Sequence, residues 1–156
     1  MRRAFAFAII LGFVFSFPPT GETASLFATE SVQLGVDQAL SIAEKQHEIA
    51  RLLIKEGRFD RVLPEMRKIL DLNLQGEHEQ LVAKSASFIA YLLAENKQNA
   101  MGHQLLDETI SKMRLSENVA SLLKIKAYLY KSEGKLGLAI ETLERSVEIE
   151  QQKAQP

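Results

Sequence analysis

Apolar residues recur every three or four positions along most of this chain, as at Ile42, Ile49, Leu52 and Leu53 and again at Leu81, Ala86, Ile89, Leu92 and Leu93. That spacing lines one face of an α-helix, and no segment of strand length alternates apolar with polar residues between turn signals. After Pro19 the only prolines are Pro64 and Pro156, so little interrupts helical backbone from residue 31 onward. The pattern breaks at Gly57, at Gly76, at Asn96-Lys97, between residues 114 and 116, and at Gly134. Glycine and asparagine tolerate the left-handed conformation that closes many helices, while Ser116 followed by Glu117 offers a capping oxygen and a carboxylate at the positive end of a helix dipole. The pattern predicts six helices, over residues 31–56, 60–74, 78–95, 98–113, 117–133 and 136–151, with residues 152–156 as a flexible tail. Pro64 falls within the first turn or so of the second helix, where its missing N–H costs little.

Connections of two to five residues force consecutive helices to lie antiparallel as hairpins. Three such pairs follow one another, and their phase is shared. The stretches ARLLIKEGRFDRVLPEM, AYLLAENKQNAMGHQLL and AYLYKSEGKLGLAIETL begin at Ala50, Ala90 and Ala127, which are 40 and 37 residues apart. In the third unit Leu123, Ala127, Tyr130, Gly134, Leu136, Ala139 and Leu143 carry a pattern of small and large residues around a turn glycine. The first repeats it with Ala50, Leu53, Gly57, Phe59, Val62 and Met66. The second keeps Ala90, Leu93 and Leu106 but has Lys97 for the turn glycine and Asn99 for the large apolar residue that follows.

This pattern resembles the tetratricopeptide repeat family, whose units are helix pairs of about 34 residues. The resemblance implies an all-α fold in which antiparallel hairpins stack as a short right-handed solenoid of about three repeats, within a domain spanning residues 26–151. Small residues such as Ala90 and Ala127 would then sit where helices cross, letting backbones approach to about 8–10 Å. Extra residues at the first two junctions are expected to lengthen helix ends or loops. No polar capping helix follows residue 151, so the last pair, with Leu138 and Ile149 beside its core residues, is expected to show apolar surface that a terminal repeat normally hides.

The first 25 residues read differently. Met1-Arg2-Arg3 is basic, residues 4–17 (AFAFAIILGFVFSF) are uncharged and apolar, Pro18-Pro19 breaks the run, and small residues follow at Thr23-Ala24-Ser25. That order is that of a secretory signal, with cleavage expected after Ala24 or Ser25 and residence in the periplasm or outside the cell. An uncleaved membrane anchor facing the periplasm is the alternative, although 14 apolar residues fall short of the roughly 20 that a helical span needs. The chain has 156 residues and no cysteine, which removes disulfides, thiolate chemistry and thiolate metal sites. Removing the signal leaves 17 basic and 19 acidic residues, a net charge near −2. Such a balance gives no general attraction to nucleic acid or to anionic membrane.

Catalytic patterns are missing: there is no phosphate-binding glycine loop, no nucleophile elbow and no dinucleotide fingerprint. His47, His78 and His103 lie 31 and 25 residues apart, too scattered for a zinc set, and are expected on helix surfaces. Glu77 and Glu79 read as a charged first turn, and Glu141, Glu144, Glu148 and Glu150 as a solvated helix face. No cofactor, metal or enzymatic activity is expected. In the family resembled, the concave groove is lined by exposed positions on the first helix of each pair. Carried over by phase, these are Glu44, His47, Arg51 and Lys55, then Lys84, Ser87 and Tyr91, then Lys124, Tyr128 and Lys131. The set is mainly basic with two tyrosines, which fits an acidic peptide or a terminal carboxylate. The family's carboxylate clamp is not met, because Phe88 and Ile125 stand where polar residues belong. The expected role is an exported scaffold that binds a protein or peptide, with a subunit that self-associates into a homo-oligomer through its last hairpin as the alternative.

Overall fold

The computed structural model describes the backbone of residues 21–154 and the side chains of residues 35–153. Residues 1–20 of the predicted signal and residues 155–156 of the predicted tail lie outside the described residues. The chain divides into two units, Met1–Leu34 and Gly35–Pro156, and the buried cluster belongs wholly to the second.

The described residues are all-α, with no strand. Helix α1 spans Gly21–Lys55, α2 Val62–Asp71, α3 Glu79–Glu95, α4 Asn99–Lys112, α5 Ser116–Ser132 and α6 Leu136–Ala154, and short 3-10 turns at Phe59–Arg61 and Gly76–His78 precede α2 and α3. Boundaries shift where helical backbone meets no breaker. Thus α1 starts ten residues before its predicted position, because nothing between Gly21 and Gly35 disrupts it, and α6 runs through the helix-forming sequence QQKA to Ala154. Conversely, α2 stops at Asp71, three residues early, where Asn73 turns to φ 49°.

Three turns share one backbone design. Gly57, Lys97 and Gly134 take φ of 72°, 61° and 73°. In each, that residue's N–H donates to the carbonyl three residues back and the next N–H donates to the carbonyl five back. The pairs are Gly57 to Ile54 at 3.0 Å and Arg58 to Leu53 at 2.9 Å, Lys97 to Ala94 at 2.9 Å and Gln98 to Leu93 at 2.8 Å, and Gly134 to Lys131 at 3.0 Å and Lys135 to Tyr130 at 2.9 Å. These are Schellman closures, which need a left-handed residue just past the helix end. Lys97 adopts the glycine conformation despite its Cβ.

Ala50, Ala90 and Ala127 are all buried, together with Leu53, Val62, Met66, Leu93, Leu106 and Leu123. Helix α3 packs against α4, α5 against α6, and both α3 and α4 lie against α5, while α2 touches α3 and α4. Helices approach closely at Gly102. A Cβ there would meet Leu129 Cδ2 at 2.8 Å and the Ala90 carbonyl oxygen at 3.2 Å. Gly102 lies five residues after Lys97, as Val62 does after Gly57 and Ala139 after Gly134. It is the second unit's small residue, and the sequence reading passed over it.

Three expectations are corrected. Leu136 and Leu143 are exposed rather than core, because among the described residues α6 packs only against α5, whereas Ile149 is half-buried. Ser116 does not cap α5 through its side chain. The acceptor there is the carboxylate of Glu79, which is buried rather than on a charged surface turn. Its Oε1 accepts from the Arg114 N–H at 3.1 Å, the Leu115 N–H at 2.9 Å and Asn118 Nδ2 at 2.9 Å. Burial pushes the Glu79 carboxyl up, but these donors outweigh it and hold the group below its ordinary value. The start of α3 is thereby tied to the start of α5.

Candidate functional site

The first helix-face positions of α1, α3 and α5 form one side of the second unit. Along it, Glu44, His47 and Arg51 of α1 and Lys84 of α3 line a cleft of about 530 Å³, whose remaining wall includes Leu40, Leu81, Ser85 and Phe88. The 3.6-residue period explains this convergence, since 44, 47 and 51 are spaced three and four apart and share one face of α1. The cleft is therefore apolar within and charged at its edges.

His47 fixes the position of α1 beside α3. Its Nδ1 lies 2.7 Å from Ser85 Oγ, and its ring sits 5.6 Å from that of Phe88. Burial first, and the neighbouring Arg51 charge second, lower the His47 pKa against the opposing pull of Glu48. The imidazole is consequently neutral at neutral pH, with its apolar faces in the cleft. Arg51 pairs with Glu48 at 3.4 Å on the exposed rim. Lys84 has no ion-pair partner among the described residues, which leaves its ammonium free to meet an anion.

A second hollow of about 350 Å³ continues the surface between α3 and α5, where Lys84, Ser87, Phe88 and Tyr91 face Ser121 and Ile125. Tyr91 then reaches Tyr128 of α5, with ring centroids 5.6 Å apart. The Glu95 carboxylate accepts the Tyr91 hydroxyl and, with its charge, keeps that phenol protonated, its pKa pushed up to about 12. The structure thus joins Glu44, His47, Arg51, Lys84, Ser87, Tyr91 and Tyr128 in one continuous strip.

The remaining predicted positions stand apart from the two hollows. Lys55 and Lys131 are exposed and line neither. Lys124 turns toward α6, where Glu150 accepts its ammonium at 2.6 Å. Phe88 and Leu81 are the residues that sequence reasoning missed. The signal was present, because Phe88 is a large apolar residue at the place a clamp would put a polar one.

No family model, curated protein or solved structure matches this chain. Its chemistry therefore rests on its own residues. Among the described residues no helix is long and apolar enough to cross a membrane, and no group of three His, Asp or Glu side chains is placed to hold a metal ion.

The histidines are not uniformly superficial, as had been expected. His103, on α4, is half-buried, where its Nε2 lies 2.8 Å from Glu133 Oε1 and its ring lies tilted 4.3 Å from that of Tyr130. Burial pushes the Glu133 carboxyl up, yet Lys135 and His103 outweigh it and hold the group below its ordinary value. This cluster sits at the third Schellman turn and fastens α4 to α5.

Proposed function

We propose that the helices stack as three pairs in a tetratricopeptide-like right-handed array whose inner strip binds an acidic segment of another protein. The common phase of Ala50, Ala90 and Ala127 and the three matching turn closures support the stacking. The observation that carries the binding role is the cleft between α1 and α3, where an apolar interior with Phe88 is edged by Arg51 and Lys84. An apolar side chain of the partner would fill the cleft, and its carboxylates would meet Arg51 and Lys84. Tyr91 and Tyr128 would extend the contact, since tyrosine offers broad amphipathic area at low entropic cost. Binding, rather than catalysis, is the proposed activity.

Export to the periplasm or the exterior is part of the same proposal and rests on the order of basic, apolar and small residues in residues 1–25. A pull-down from the native envelope fraction identifies the partner. Replacing Arg51 and Lys84 by glutamate should then weaken its binding about tenfold or more per charge at low salt, with the difference shrinking as salt rises. Unchanged capture by the double variant would remove the cleft from consideration.

A further inference from the structure

Lys84 and Phe88 of α3 line both hollows, so the two cavities share one wall. The helical period sorts the rest of α3 between them. Leu81 and Ser85 line the first alone, whereas Gln80, Ser87 and Tyr91 line the second alone. Lys84 and Phe88, the latter 44% exposed, therefore form a crest that a guest must cross to reach from one hollow to the other.

The hollows differ in chemistry. Aliphatic side chains of three helices wall the first, with Leu40 of α1, Ile69 of α2 and Leu81 of α3. The smaller second hollow sets Gln80, Ser87 and Ser121 around Ile125. Those three polar side chains hold no hydrogen-bond partner among the described residues, so their donors and acceptors are open to a guest. The charges are equally uneven. Arg51 already shares its charge with Glu48, and Glu44, on the α1 side of the first hollow, repels a carboxylate there. Lys84 on the crest has no ion-pair partner among the described residues. A carboxylate is thus best received over α3, between the two hollows.

Grooves on either side of one helix are about 10 Å apart. A polyproline II segment has three residues per turn and returns a side chain to the same side after about 9.3 Å. A β-strand does so after about 6.6 Å, which is too short, and then after about 13 Å, which is too long. A helix laid across α3 would bring its intervening turn against Phe88. We infer that the acidic segment crosses α3 as polyproline II, an inference that rests on the reading of this cleft as the site of such a segment. An apolar side chain fills the first hollow, and an amide or hydroxyl side chain three residues away enters the second. A carboxylate on one of the two residues between them meets Lys84.

Nitrogen-15 NMR of the labelled protein, purified as the producing cell leaves it and titrated with short acetylated and amidated peptides, tests the inference. The probe carries leucine, glutamate, proline and glutamine in succession between glycine pairs, presented in both chain directions. The control lacks the proline, so that leucine and glutamine stand two apart. The better-binding probe should shift the amide resonances of Leu81 and Ser85 on one side of the crest together with those of Ser87 and Ser121 on the other, with a single dissociation constant. The control should shift the first pair alone and bind about fivefold or more weakly. Ser121→Trp, at an exposed position of α5, should fill the second hollow and bring the probe down to the affinity of the control. Lys84→Gln should weaken both peptides about tenfold. Equal affinity for probe and control, or probe shifts confined to the first hollow, would overturn the inference and leave the cleft as a site for an acidic segment. Silence of all four resonances at millimolar peptide would overturn both.

Discussion

Lys97 occupies a backbone position that glycine fills in the other two turns, and the three sites together make an internally controlled experiment. A left-handed conformation costs an L-residue roughly 1–2 kcal/mol, because its Cβ crowds the backbone. Substituting glycine relieves that strain but adds about 0.4–1 kcal/mol of chain entropy to the unfolded state. The net expectation for Lys97→Gly is a stabilisation of about 0.5–1 kcal/mol. Gly57→Ala and Gly134→Ala should cost about the same amount, and by the same cause, since an added Cβ at either site meets nothing within 4 Å. Only φ, at 72° and 73°, penalises those two substitutions. Urea titration followed by circular dichroism reads the differences through the midpoint, and at this chain length each kcal/mol corresponds to roughly 2–4 °C in melting temperature. The reasoning fails if Lys97→Gly destabilises the protein, or if all three substitutions shift the midpoint in one direction.

Other consequences can be measured on the same preparations. Gly102→Ala drives a methyl into Leu129 and the Ala90 carbonyl, so it should cost about 1–2 kcal/mol after the gain in helix propensity, while Gly137→Ala, with open space around it, should stabilise by up to about 1 kcal/mol. Glu79→Gln should destabilise by about 1–3 kcal/mol, since a charged acceptor for two backbone N–H groups and Asn118 is replaced by a neutral one. The pH dependence follows from the same group. Its folded pKa is depressed, so its contribution is complete above the ordinary carboxylate value of 4.5. Below that value it declines, and it is gone once the pH passes beneath the folded pKa; the acid limb of the stability curve should therefore flatten in Glu79→Gln. His47 acts with the opposite charge. Because its pKa is lowered from 6.5, protonation opposes folding as pH falls below that value, and it also adds a cation to the cleft. An acidic peptide should accordingly bind more tightly as His47 gains its proton, and His47→Gln should abolish that pH dependence in a fluorescence titration.

Helix positions and their shared phase were readable from Ala50, Ala90 and Ala127, because burial of a helix face imposes a 3.6-residue period on composition. Gly102 was equally readable from its distance to Lys97, yet a lone glycine inside a helical pattern looks like noise until its neighbours are placed. Glu79 was not readable. Its partners lie 35 to 39 residues away, and two of them are backbone N–H groups, which leave no mark on residue identity. Apolar surface on the last pair was legible, and Leu138 is exposed as expected, but Leu136 and Leu143 were misassigned to the core, since periodicity records that a face is apolar and not whether another helix covers it. Along the strip of the two hollows, phase alone placed most of the residues, whereas the turn of Lys124 toward Glu150 depends on the neighbouring helix.

The whole chain contains three tyrosines and no tryptophan. Two of those tyrosines, Tyr91 and Tyr128, lie side by side on the strip that runs from the cleft. Two of the native protein's three ultraviolet emitters therefore sit on the strip itself, and a guest without aromatic groups would announce its arrival there as a change in that glow, with no dye attached.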